Sequence, residues 1–186
     1  MSTIITDNEI SLRPVELNDI DREYCGWYEN LDGHLNFFSG SGKQFTKGVI
    51  IDDYLTGKKD NEWFYYIIEC TSGERIGTVK VGPIDRKNKT SDLVCLIGNR
   101  NFLGKGIAPK VISIANKIAF KKHDIRRLHG GMHAQNTQSI KAYTRAGWIV
   151  EGILKGYYLV DGNAEDRVCV ACFNPAYFNL ENDDAV

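Results

Sequence analysis

Strand-like and helix-like segments alternate along this chain, and their order strongly constrains the fold. Runs rich in β-branched and aromatic residues predict strands at Ile10–Val15, Trp63–Cys70, Arg75–Gly82, Ser91–Asn99, Arg126–Ala134, Trp148–Val160 and Ala164–Phe173. Apolar residues at helical spacing predict helices from Asn18 or Asp19 to Asn30, then at Thr46–Leu55, Lys105–Lys122 and Asn136–Ala146. The order β-α-α-β-β-β-α-β-α-β-β predicts an α/β fold, with a mixed sheet and helices on its faces.

Size and charge narrow the class of protein. The chain has 186 residues, which suits a single domain over residues 1–186, with a core at about 10–173 and a short C-terminal tail. The net charge of -1 opposes nucleic-acid binding. No run approaches the ~20 apolar residues of a membrane helix, and no secretory signal opens the chain. We therefore expect a cytoplasmic protein that needs neither a membrane nor a nucleic acid.

The cysteines do not indicate a metal site. There are five, an odd number without the spacing of a disulfide framework. Cys169 and Cys172 form a C-x-x-C, but they lie in a predicted strand, where residues three apart point to opposite faces. A zinc site would need a second pair of ligands at short spacing, and the sequence has none. We predict no bound metal.

A glycine-rich turn precedes the third predicted helix. Leu103, Gly104, Lys105, Gly106, Ile107 and Ala108 lead from a strand into that helix. The N-terminus of a helix carries unpaired N–H groups, and glycines allow an anion to approach the backbone closely. The segment matches neither the P-loop nor the dinucleotide fingerprint. The turn is a candidate pyrophosphate site, although glycine turns before helices are also common structural features.

A second motif lies on the fourth predicted helix. Asn136, Ser139 and Tyr143 are spaced i, i+3 and i+7, so they share one face. That face could bind a ligand. Alternatively, Tyr143 could have a structural role at the edge of the core, on an amphipathic helix.

The two motifs in this order resemble the GNAT superfamily of N-acetyltransferases. Its phosphate loop has the pattern Q/R-x-x-G-x-G/A, in which Gly106 and Ala108 match and Leu103 replaces the first residue. The resemblance covers nearly the whole chain, including the opening Leu12-Arg13-Pro14. It is similar to the branch of ribosomal-protein N-terminal, spermidine and nucleotide-aminosugar acetyltransferases. The resemblance implies a mostly antiparallel sheet and acetyl-CoA as the cosubstrate.

The resemblance also implies roles for individual residues. Tyr143 would be the general acid that protonates the departing thiolate, and Asn136, with Ser139 on the same helix face, would meet the pantetheine arm. Backbone amides from Gly104 to Ala108 would hold the pyrophosphate. The strand Asp92–Ile97 would pair with the pantetheine amides, and an amide near Ile97 would polarise the thioester carbonyl.

The general base has several candidates. Asp92 lies on a strand where some members of the superfamily carry an acidic residue, and it could equally be an exposed carboxylate. His133 ends the strand before the fourth helix, where a neutral imidazole could accept a proton. His34 lies in an aromatic loop. Water could also relay the proton without a single essential base.

The acceptor is expected to bind at Leu31–Phe45 and Tyr157–Gly162. His34, Phe37 and Phe38 are the candidate contacts, and the two phenylalanines could stack on a sugar or base or simply pack the loop. The favoured acceptor is the primary amine of a nucleotide-linked amino sugar. A polyamine and a protein N-terminus are alternatives, and a catalytically silent CoA-binding sensor is the alternative from another class. Relatives are often dimers, so a homodimer is also expected.

Overall fold

Eight strands form one mixed sheet in the computed structural model, which describes residues 5–7, 9–29, 35–37 and 44–178. The strands are β1 (Ile5–Asp7), β2 (Ile10–Pro14), β3 (Phe64–Cys70), β4 (Arg75–Asp85), β5 (Thr90–Ile97), β6 (Arg127–His133), β7 (Ile149–Val160) and β8 (Asn163–Phe173). Their order in the sheet is β1-β2-β3-β4-β5-β6-β8-β7. Every neighbouring pair is antiparallel except β5 and β6. The predicted mostly antiparallel sheet is confirmed.

Within the described residues, four α-helices connect the strands in the predicted order. They are α1 (Arg22–Gly26), α2 (Lys47–Asp60), α3 (Ile107–Lys122) and α4 (Thr137–Arg145). Short 3-10 turns lie at Leu17–Asp19 and Arg100–Phe102. The added strand β1 was not predicted, because three residues are too few for a periodic pattern to emerge.

The first helix is much shorter than predicted. The carboxylate of Asp19, one of the two predicted caps, accepts two hydrogen bonds from Arg13 and one from the Glu16 backbone. Asp21 caps α1 instead, accepting from the Tyr24 backbone N–H at 3.0 Å. Asp19 is thus engaged by Arg13 and Glu16, and Asp21 is the aspartate that caps α1.

The second helix runs past its predicted end at Leu55. Gly57 reads as a stop signal, but it lies inside α2 because the Trp63 indole occupies the space that a side chain would fill. The helix ends instead at Asn61, whose φ of 55° is left-handed.

The helices cover both faces of the sheet. α3 and α4 pack on one face over a core that includes Val111, Ile118 and Trp148. α1 and α2 pack on the other face with Tyr24, Trp27, Ile50 and Tyr54. Successive residues of β3 alternate between these two cores, as a strand buried on both faces requires.

Strands β5 and β6 run side by side for only a short distance. Their parallel register extends from Thr90 opposite Arg127 to Asp92 opposite His129. Beyond that point β5 continues to Ile97 and β6 to His133, but the two strands no longer pair with each other. The two strands therefore diverge and leave an opening in the middle of the sheet.

No helix in the described part of the chain is long and apolar enough to cross a membrane.

Asn116 joins α3 to the chain beyond α4, and we expect its loss to be costly. The side chain is buried; its Nδ2 donates to the Ala146 carbonyl, and its Oδ1 accepts from the Trp148 indole, both at 3.1 Å. Asn116→Ala leaves the buried Trp148 indole and the half-buried Ala146 carbonyl without these hydrogen bonds. Each such group costs about 1 to 3 kcal/mol, so we expect the free energy of unfolding in urea to fall by about 2 to 4 kcal/mol.

Lys117→Ala is the matched control for this change. Lys117 is the next residue of α3 and is exposed, so its truncation should change the free energy of unfolding by less than about 0.5 kcal/mol. Equal losses in the two variants would contradict the role given to Asn116.

Candidate active site

A cavity of about 410 Å³ lies between the diverging ends of β5 and β6. It brings together six residues that the sequence analysis selected: Phe37, Asp92, His133, Asn136, Ser139 and Tyr143. Its wall also includes Leu93–Leu96 of β5, Gly130 and Gly131 of β6, and Tyr157 and Tyr158 of β7. Residues from distant parts of the sequence thus converge where the sheet is open.

Tyr143 places its hydroxyl on the open edge of β5. The hydroxyl donates to the Leu93 carbonyl at 2.8 Å and accepts from the Cys95 N–H at 3.3 Å. The phenol packs edge-on against Trp148, with ring centroids 4.9 Å apart. Burial raises the pKa of the Tyr143 phenol well above its ordinary value. The hydroxyl therefore keeps its proton at neutral pH and can act as a donor.

The same edge of β5 presents further backbone groups. Backbone groups of a strand alternate sides, and those of Leu93 and Cys95 face the opening. The register between β4 and β5 is regular from Leu93 to Ile97, so the Ile97 N–H faces the same side. This edge can hydrogen-bond an extended ligand, and Ile97 is placed as its last donor.

His133 is oriented by a carboxylate that the sequence analysis did not select. Its Nδ1 lies 2.9 Å from Oε2 of Glu165, whose Oε1 accepts from Gln135 at 3.0 Å. A carboxylate only accepts, so Nδ1 carries the proton and Nε2 of the neutral ring keeps its lone pair. The imidazole stacks on Tyr158 at 3.8 Å, and the Phe37 ring lies 5.5 Å away. This fixed imidazole is suited to accepting a proton inside the cavity.

Asp92 lies in the cavity wall and is not the exposed carboxylate considered as its alternative. Its Oδ1 accepts from the Leu93 N–H at 2.7 Å. Burial raises the pKa of the Asp92 carboxyl, and the positive charges of His129, Arg167 and Lys80 partly oppose that rise. Asp92 therefore stays a candidate base alongside His133.

The glycine-rich turn leaves the first amides of α3 without a side-chain cap. Gly104 and Gly106 have φ values of 73° and 71°, a left-handed backbone that favours glycine. The helix was predicted from Lys105 but begins at Ile107, because left-handed Gly106 is its N-cap. No side chain bonds the first turn, so the N–H groups of Ile107 and Ala108 are available to an anion. Leu103 is exposed beside them.

Asn136 differs from its predicted place on the face of α4. It is the N-cap of that helix, and its Oδ1 accepts from the Ser139 N–H at 3.1 Å. Asn136, Ser139 and Tyr143 all line the cavity nonetheless. Asn136 therefore starts the helix that carries the other two. His34 and Phe38, predicted to contact the acceptor, lie outside the described residues.

Two functional candidates on β8 escaped the sequence analysis. Glu165 orients His133, and Arg167 lines the cavity. Both lie in the charged run Glu165-Asp166-Arg167 at the half-buried start of β8, and residues 165 and 167 point to the same face of that strand. Among the described residues, no group of three or more His, Cys, Asp or Glu side chains could hold a metal ion.

The cavity in the opened sheet and the uncapped start of α3 are features of an acyl-transferring α/β enzyme. A family model described as "Acetyltransferase (GNAT) domain" matches residues 9–149. This protein belongs to that family, and it is an acetyl-CoA-dependent N-acetyltransferase. The resemblance stated from the sequence is confirmed.

Individual relatives agree with this assignment. A probable N-acetyltransferase of Bacillus subtilis, YjcK, is 26% identical over 89% of this chain and 94% of its own. Spermidine N(1)-acetyltransferase of Escherichia coli is 22% identical over 90% of each chain. The crystal structure of Vibrio cholerae spermidine N-acetyltransferase, in complex with CoA and spermine, has a TM-score of 0.80. It is 18% identical, covering 92% of this chain and 99% of that one, and so supports the fold.

Proposed function

We propose that this enzyme transfers the acetyl group of acetyl-CoA to a primary amine of a small molecule in the cavity between β5 and β6. One observation carries the proposal: the Tyr143 hydroxyl lies on the open edge of β5, in the same cavity as the oriented imidazole of His133. An acid for the departing thiolate and a base for the attacking amine are the two groups that direct acetyl transfer needs.

The donor binds along β5 and at the start of α3 in this proposal. The amides from Gly104 to Ala108 hold the pyrophosphate, with Leu103 and Lys105 beside it, because the uncapped helix end favours an anion. Asn136 and Ser139 meet the pantetheine arm. The N–H of Ile97 polarises the thioester carbonyl.

His133 is the proposed base and Glu165 its positioning residue. Neutral Nε2 accepts a proton from the ammonium of the acceptor, which leaves a neutral amine to attack the thioester carbonyl, and Glu165 stabilises the imidazolium that forms. Asp92 is less suited, because it adjoins Leu93, whose carbonyl bonds the Tyr143 hydroxyl. A base at Asp92 would lie on the same side of the reacting carbon as the Tyr143 acid, whereas the base should lie on the opposite side.

Two acceptor classes remain as candidates for the amine. Phe37, Tyr157 and Tyr158 give the cavity aromatic walls, which suit the ring of a nucleotide-linked amino sugar. The relatives named for spermidine favour a polyamine. The test is mass spectrometry of the products formed from acetyl-CoA and a panel of nucleotide-linked amino sugars, polyamines and N-terminal peptides. A mass gain of one acetyl group on any amine supports the proposal; donor binding without any acetylated product would favour a CoA-binding sensor.

Gly106→Ala should weaken donor binding. A side chain at a φ of 71° is strained by about 1 to 2 kcal/mol, and relief of that strain would turn the first amides of α3 away. We expect the KM for acetyl-CoA to rise about 5- to 30-fold, with a smaller change in kcat.

Gly73→Ala is the control for strain alone. Gly73 has a φ of 81° in the turn between β3 and β4 and also has open space around it. This variant should lose similar stability while its KM for acetyl-CoA stays unchanged. A rise in both variants would show that global destabilisation, not the anion site, causes the effect.

The assembly and location of the chain are also proposals. β7 lies at the edge of the sheet and exposes Ile149, Ile153 and Leu154, which supports a homodimer. Size-exclusion chromatography with light scattering would test it. A single acetyltransferase domain over residues 1–186 and a cytoplasmic location stay predictions.

A further inference from the structure

Arg167 brings a guanidinium into the cavity without a hydrogen-bond acceptor. Its Nε is buried and has no hydrogen-bond partner among the described residues. Its side chain lines the cavity with Asp92, and its charge partly opposes the rise in the Asp92 pKa that burial causes, but the Asp92 oxygen that accepts a hydrogen bond takes it from the Leu93 N–H. A buried or half-buried charge is normally paired, so this cation is an unsatisfied group.

Packing against Tyr157 and Gly131 holds Arg167 in place. Its guanidinium carbon lies 4.7 Å from the centre of the Tyr157 ring, within the range of a cation–π contact. On its other side, a Cβ at Gly131 would overlap the guanidinium nitrogens, so the side chain fits because residue 131 is glycine. The planar group is thus fixed before any ligand arrives, which lowers the entropic cost of binding one.

The charges around Arg167 favour an anion over a cation. Among the described residues of the cavity wall, Asp92 is the sole carboxylate and Arg167 the sole lysine or arginine. The Asp92 carboxylate already accepts from the Leu93 N–H, and Glu165 is engaged by His133 and Gln135. A polyamine needs several free carboxylates to neutralise its ammonium groups. Here it would meet one carboxylate and an opposing guanidinium.

We infer that Arg167 binds a carboxylate or phosphate group of the acceptor, so the acetylated molecule is a primary amine that carries an oxyanion. Guanidinium groups pair with both oxyanions through parallel hydrogen bonds. The inference rests on the proposed acetyl transfer. It makes Arg167 a specificity-determining residue and separates this enzyme from relatives named for spermidine.

The register of the sheet places the oxyanion close to the reacting amine. Arg167 on β8 is the cross-strand partner of His133 on β6, so both side chains leave the same face. The guanidinium lies over Gly131, two residues before His133 on β6, and both of these residues line the cavity. The oxyanion therefore enters the cavity with the amine and does not stay in solvent.

The test compares acceptors that differ only in their charge. One pair is an amino acid and its carboxamide, another is an amino-sugar phosphate and the free amino sugar, and spermidine and a nucleotide-linked amino sugar complete the set. For the wild-type enzyme we expect kcat/KM to be at least about 10-fold higher for the anionic member of one pair. Which pair shows the preference identifies a carboxylate or a phosphate as the ligand.

Substitution of Arg167 should remove that preference. In Arg167→Gln the ratio of kcat/KM between anionic and neutral members should fall to about one, a loss of about 10- to 100-fold. Arg167→Lys keeps the charge without the paired donors and should recover part of the ratio. Arg145→Gln, the same change at an exposed position on α4 outside the cavity wall, should keep the wild-type ratio.

Binding measurements separate this inference from the proposed activity. Isothermal titration calorimetry of the CoA-bound protein with each acceptor pair needs no turnover. Tighter binding of an anionic member, lost in Arg167→Gln, would support the inference even if no amine were acetylated. Acetylation of amines with no preference for the anion, with a preference for spermidine, or with the same preference in Arg167→Gln, would overturn it while leaving acetyl transfer established. Equal binding of both members without turnover would likewise overturn it.

Discussion

Tyr143→Phe should lower kcat about 10²- to 10⁴-fold, the usual contribution of a general acid. The variant keeps the aromatic ring against Trp148 and removes the hydroxyl that donates to the Leu93 carbonyl. The KM for acetyl-CoA should change little, because the freed Leu93 and Cys95 backbone groups stay available to the donor. Steady-state kinetics with acetyl-CoA and a reactive amine would measure both constants.

The loss of a buried hydrogen bond needs its own control. Tyr66→Phe removes another buried hydroxyl, which lies 2.7 Å from Nε2 of His123 and away from the cavity. Both variants should lose about 1 to 2 kcal/mol of folding free energy, but Tyr66→Phe should keep full activity. A drop in kcat of less than about 10-fold in Tyr143→Phe would remove the acid role from that hydroxyl.

His133→Asn should lower kcat/KM for the amine about 10²- to 10³-fold near neutral pH. Without the base, only amine that has lost its proton in solution can attack. A primary amine has a pKa near ~10. At pH values below that pKa, its neutral fraction rises about 10-fold for each unit by which the pH increases. The deficit of the variant should therefore shrink as the pH rises, which a pH profile of kcat/KM would show.

Two further variants decide between the candidate bases. Asp92→Asn should lower kcat/KM for the amine by less than about 10-fold, because the proton leaves through His133. This small deficit should not shrink at high pH. Glu165→Gln should lower kcat/KM for the amine by an intermediate factor of about 10. The imidazole stays in place in this variant, but its protonated form is less stabilised. Recovery at high pH in Asp92→Asn, and not in His133→Asn, would make Asp92 the base.

Local sequence patterns predicted most of the elements and the two motifs of the site. Short-range sequence patterns predicted the turn from Leu103 to Ala108 and the helix that carries Ser139 and Tyr143, and the structure contains both. The cavity that Ser139 and Tyr143 line could not be predicted from local patterns, since nothing local states that β5 and β6 diverge after Asp92 and His129.

The misses share a physical cause, which is contact with side chains outside the local pattern of each element. Asp19 is engaged by Arg13, so the first helix starts late, and Trp63 packs on Gly57, so the second ends late. Glu165 and Arg167 meet the site through the register of β6 and β8. No periodicity reveals which residue lies opposite His133 across that pair.

The short pairing of β5 with β6 also bears on how the molecule unfolds. The sheet consists of two wings, β1 to β5 and β6 to β8, joined through the backbone over Thr90–Asp92 and Arg127–His129. Hydrogen bonding within each wing is more extensive than between them, so the wings can act as separate cooperative units. A donor seated along β5 would bridge the seam. With the donor bound, we expect the two wings to unfold as one unit, and without it as two. Hydrogen exchange of backbone amides should then slow in both wings when the donor binds.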